Sequence, residues 1–141
     1  VAERPVDAWR AVMLSEAGAA YACAVAGPRF DDAGRAQAAA ALDRHKAARD
    51  AAALQVSTAG AAVGPLPTFF VLPGRADDPV SAAALLAGVE ARLAVQYADL
   101  LALLPLAERQ PALDGVLQCS AAALGWGARP GPWGAADPAA G

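Results

Sequence analysis

At 141 residues and 14.1 kDa, the chain has the length of one domain that buries its own core without metal or disulfide staples, and a second domain is not expected. Alanine supplies roughly three residues in ten and aromatics only 6%, which favours helices and excludes an all-β sandwich or barrel. Eleven basic against 14 acidic residues give a net charge of -3, with no block of like charge to track a phosphate backbone, so no nucleic-acid partner is expected.

The first predicted helix opens near Pro5 and Asp7 and runs to Ala26, where Gly27 and Pro28 supply a cap and a stop. Its apolar line is Trp9, Met13, Ala20 and Cys23, and Glu16 falls on the same line, so a carboxylate faces inward. A second helix starts at an Asp31 or Asp32 cap and continues to about Thr58, before Gly60. Its inward line reads Ala38, Ala41, His45, Ala48, Ala52 and Val56, which turns the single histidine toward the core.

The stretch from Gly60 to Asp77 (GAAVGPLPTFFVLPGRAD) holds glycines, prolines and isolated aromatics, and is too long for a simple hairpin turn. Extended, it spans on the order of 55 to 60 Å, more than the roughly 38 Å of a 25-residue helix. A crossover from one end of a bundle to the other follows, with Phe69 and Phe70 as its anchors.

Helix 3 carries the clearest start, with Asp78 as N-cap, Pro79 at the first helical position and Ser81 behind them, and it ends before Pro105. Its line is Leu86, Leu93, Tyr97, Leu100 and Leu104, with Glu90 inside it. Helix 4 is expected from Pro111, after a preliminary turn at Leu106, to about Trp126, with Leu113, Leu117, Ala121 and Leu124 facing inward. Residues 1–128 thus form a bundle, and 129–141 (RPGPWGAADPAAG) lack periodicity and read as a tail, with Trp133 as its one residue able to dock.

The expected architecture is all-α: a ferritin-like antiparallel four-helix bundle with a long crossover between helices 2 and 3. No transmembrane segment is expected, because Gly60, Gly64, Pro65, Pro67 and Pro73 break the longest uncharged run. Glu3, Asp7 and Glu16 interrupt the apolar run near the start, which reads as mature helix and not as a signal peptide. Cys23 and Cys119 lack metal-finger spacing and read as small buried thiols in a reducing cytoplasm.

Glu16, His45 and Glu90 lie near the middles of their helices, so a bundle places them at one depth. These are the ligand types of a di-iron or di-manganese centre, which takes a Glu from each of two helices and a Glu-x-x-His from each of the other two. Most of that set is missing: Leu42 stands three before His45, and helix 4 offers neither Glu nor His, only Cys119 at mid-height. The expected state is therefore a buried hydrogen-bonded cluster without a cofactor, with Arg49 or Tyr97 satisfying the remaining carboxylate oxygens. Its alternative is an iron or manganese oxidoreductase using Glu16, His45 and Glu90 as metal ligands. Arg35, Arg44, Lys46 and Arg49 read as a solvated face of helix 2, with Asp43 and Asp50 interspersed.

SEAGAAYACAVAGPR in helix 1, DRHKAARDA in helix 2, the DPVSAAAL entry to helix 3 and VEARLAVQYADLL within it occur here in that order. With these segments the chain, from Trp9 to Trp126, resembles a small actinobacterial ferritin-like domain of unassigned function. The resemblance implies a ferritin-like fold without an established activity. Members of that family often carry a histidine directly after the helix 1 glutamate, where this chain has Ala17, so the polar site is depleted further. The function expected is association, as a homodimer or with a protein partner.

Overall fold

The computed structural model describes residues 3–129; the tail expected beyond Arg129, with Trp133, lies outside the described residues. Four helices, α1 (Pro5–Ala26), α2 (Asp32–Thr58), α3 (Pro79–Leu103) and α4 (Gln110–Gly125), account for the regular structure, and no strand occurs among the described residues.

Local chemistry sets the boundaries. Asp31 caps α2, its Oδ1 accepting from the Gly34 N–H at 2.8 Å. At α3, Asp78 Oδ1 accepts from the Ser81 N–H at 2.7 Å and Ser81 Oγ accepts from the Asp78 N–H at 3.1 Å, a reciprocal capping box with Pro79 just inside. Gly27 is the C-cap of α1, as expected, its N–H donating to the Cys23 carbonyl, but with a φ of -49° it tightens the chain into a 3-10 turn over Gly27–Arg29 instead of reversing it through a left-handed residue.

Two apolar clusters reveal the helix directions. One joins Trp9 and Met13 of α1, Ala52 and Val56 of α2, Leu100 of α3 and Ala112 of α4. The other joins Cys23 and Ala26, Ala38 and Ala41, Ala82 and Leu86, and Trp126. The start of α1 therefore meets the ends of α2 and α3 and the start of α4. Helices α1 and α4 run one way and α2 and α3 the other. Since α2 finishes at the end of the bundle opposite to the start of α3, residues 59–78 traverse its full length. Phe70 anchors this crossover, its ring centroid 5.9 Å from that of Tyr21; Phe69, expected to share the task, is 69% exposed.

Helix α4 corrects the sequence reading. Ala112, Gly115, Cys119 and Ala123 face the core, and Leu113, Leu117 and Leu124 face solvent, Leu117 at 60% exposure. The reason is steric. A Cβ on Gly115 would lie 2.4 Å from Cδ1 of Tyr97, so α3 and α4 approach too closely for large side chains between them, and only small residues fit.

Candidate polar centre of the bundle

Between the two apolar clusters, Glu16, His45 and Glu90 are buried, each at 1% exposure or less. The structure brings together all three residues expected at this depth. They form a chain of contacts through the imidazole: His45 Nδ1 lies 2.5 Å from Glu16 Oε2, and His45 Nε2 lies 2.7 Å from Glu90 Oε1.

Two further side chains complete the chain. Tyr97 Oη donates to Glu16 Oε1 at 2.6 Å, as expected. Arg49, the other expected partner, points elsewhere and donates to Asp50 at 2.9 Å. The cation at the site is Arg44, which donates through Nη2 to Glu90 Oε1 and through Nη1 to Cys119 Sγ at 3.9 Å. Arg44 sits one position from His45, about 100° round the helix, which is why periodicity assigns it to the solvated face. Its long stem carries the guanidinium back inward, and the side chain stays 26% exposed, forming the outer edge of the cluster.

Charge accounting follows from the contacts. Both imidazole nitrogens face carboxylate oxygens, so both donate when the ring is protonated; two carboxylates, one imidazolium and one guanidinium then sum to zero. Burial lowers the His45 pKa, but the hydrogen bonds and charges of Glu16 and Glu90 outweigh it and hold it above the ordinary value of 6.5. Burial and the Glu16 carboxylate raise the Tyr97 phenol, which stays protonated as a donor. Burial, reinforced by the Glu90 carboxylate, pushes the Cys23 thiol up to about 12 and raises Cys119 as well. Both cysteines are free, buried thiols, protonated and poor nucleophiles at neutral pH. Glu90 Oε2 has no hydrogen-bond partner, and its charge is balanced from one side only, by Arg44 and His45 on Oε1.

The donor set fits a metal poorly. Glu16 faces one ring nitrogen and Glu90 the other, and the lone pairs of those nitrogens diverge across the imidazole, so as arranged here the two carboxylates do not converge on one ring nitrogen. A guanidinium already occupies the outer side of Glu90. No group of three or more His, Cys, Asp or Glu side chains among the described residues is arranged to hold a metal ion. Nor is any helix among them long and apolar enough to cross a membrane.

Comparison with curated proteins gives no match. Among solved structures, the chain is similar to "a conserved hypothetical protein, rv2844, from Mycobacterium tuberculosis", with a TM-score of 0.81 and 19% identity, covering 89% of this chain and 97% of that one. At that identity the likeness speaks to the fold. Residues 8–138 match a family described as a domain of unknown function, DUF4439, and the chain belongs to that family.

Proposed function

We propose that this protein is a non-catalytic, ferritin-like bundle that works by association, and that its first partner is a second copy of itself, docked through α4. The observation that carries this reading is the outward leucine stripe: Leu113, Leu117 and Leu124 are 39%, 60% and 37% exposed on one helix. Leu106, in the turn before α4, adds a fourth apolar side chain at 82% exposure. From 113 to 124 the stripe runs about 16 Å along the helix, and small Ala121 lies within it, which allows two copies to approach about a two-fold axis.

The centre of the bundle supports the same reading. With the imidazole between two carboxylates and Arg44 against Glu90, the charges of the cluster are balanced from within while Glu90 Oε2 stays unpartnered, and we read the cluster as a device that fixes helix register in place of an ancestral metal site. A reducing, cytoplasmic location belongs to this proposal, supported by the two free thiols.

Sedimentation velocity over a concentration series is the test. The wild type is expected to reach a dimer by tens of micromolar, and Leu117→Glu to remain monomeric with unchanged helical circular dichroism. A wild type that stays monomeric throughout, or a Leu117→Glu variant that dimerises equally well, would overturn the proposal.

A further inference from the structure

On the side of α1 and α3 that faces the crossover lies a cleft of about 390 Å³, within the usual 300–1,000 Å³ of small-molecule sites. Its wall is mainly apolar, with Leu72 and Phe70 contributed by the crossover and Gly18 by α1. A Cβ on Gly18 would stand 3.3 Å from Cδ1 of Phe70, so the missing side chain lets the crossover sit low over the helices and close one side of the cleft.

Three polar side chains line this cleft beside the apolar ones: half-buried Ser15 and Gln96, and exposed Arg92 at its rim. Among the described residues, none of them has a side-chain hydrogen bond or ion pair within the protein, unlike Arg4, Arg10, Arg44, Arg49 and Arg75, each of which meets a carboxylate. The Arg92 guanidinium lies back along α3, its Nη1 3.5 Å from where a Cβ on Gly88 would stand. The acid that shares its helix face, Asp99, is two turns away and forms no ion pair with it. A concave apolar surface with one uncompensated cation and two neutral hydrogen-bonding groups complements a molecule of matching polarity.

We propose that this cleft binds an amphipathic organic monoanion: a compact apolar body under the crossover, with a carboxylate or sulfonate held by Arg92 and hydrogen-bonded by Gln96 and Ser15. The site is separate from the polar centre and from the α4 stripe.

Two fluorescent probes with nearly the same apolar body separate charge recognition from greasy adhesion: 8-anilino-1-naphthalenesulfonate, and N-phenyl-1-naphthylamine without the sulfonate. The full chain is expected to bind one sulfonate probe per molecule. Arg92→Gln is expected to weaken that probe about tenfold and the uncharged one less than twofold. Ser15→Phe, which fills the cleft from α1, is expected to weaken both at least tenfold. No binding by the wild type, or equal effects of Arg92→Gln on both probes, would overturn the proposal. So would binding that survives Ser15→Phe and disappears in Leu117→Glu, which would assign the probe to the α4 leucines.

Discussion

Replacing His45 with alanine is expected to destabilise the protein by about 3–5 kcal/mol, because it strands an uncompensated charge inside the bundle. In the variant, Glu90 keeps Arg44, but Glu16 keeps only the Tyr97 hydroxyl. A carboxylate without a counter-charge at 1% exposure must stay ionised at high cost or take up a proton. The vacated imidazole volume adds a cavity penalty. For a chain of this length the loss corresponds to a melting temperature lower by roughly 10–20 °C. Replacing Glu16, Arg44, His45 and Glu90 together with Leu or Met, and Tyr97 with Phe so that its hydroxyl is not orphaned, is expected to recover most of that stability, since a fully apolar centre leaves nothing unpaired. Thermal and urea melts followed by circular dichroism check both statements. A His45→Ala variant within 1 kcal/mol of wild type would show that the imidazole neutralises nothing.

Gly115→Ala is the second change expected to be costly, against the ordinary trend. Inside a helix, alanine usually gains about 1 kcal/mol over glycine. Here the new Cβ would fall 2.4–2.6 Å from three ring atoms of Tyr97, and that ring is buried at 4% exposure with its hydroxyl fixed on Glu16. Either α4 moves away from α3 or the ring turns and releases the carboxylate. The expected net loss is about 2 kcal/mol, as overpacking outweighs propensity. In a Tyr97→Ala background the ring and its Cγ, which would lie 2.5 Å from the new Cβ, are gone, and the same substitution is expected to become neutral or stabilising. This reversal of sign, read from paired urea melts, isolates the contact; a stabilising Gly115→Ala in the otherwise unaltered chain would refute it.

Structure set by local signals is legible in the sequence, and structure set by a neighbouring helix is not. Asp31, Asp78 and Pro79 mark helix starts through bonds to their own next turn, so α2 and α3 are placed correctly. The inward lines of α1 and α3, including Glu16 and Glu90, follow the helical period because large residues fill them. In α4 the leucines form the stripe that periodicity favours, yet they lie outside, because Tyr97 of another helix claims the space and only Gly115, Cys119 and alanines fit. Arg44 escapes notice for a related reason: its Cα faces the helix flank, and only the reach of its side chain brings charge to Glu90. Charge balance offers the one sequence signal for it, since two inward carboxylates and a single histidine leave one negative charge to be met.

At the centre of the bundle His45 stands as an imidazolium that donates one N–H to each of two buried carboxylates. Its folded pKa is raised above the unfolded value of about 6.5, so its contribution to stability is complete below pH 6.5 and is lost as pH rises through the folded value. Because the chain contains one histidine, a long-range proton–nitrogen correlation spectrum of 15N-labelled protein reports this ring alone. At pH 6.0 the account predicts two protonated imidazolium nitrogens, unchanged when one equivalent of manganese(II) is added. The nitrogen shifts of a neutral tautomer at that pH, or site-specific paramagnetic broadening at one equivalent, would contradict it.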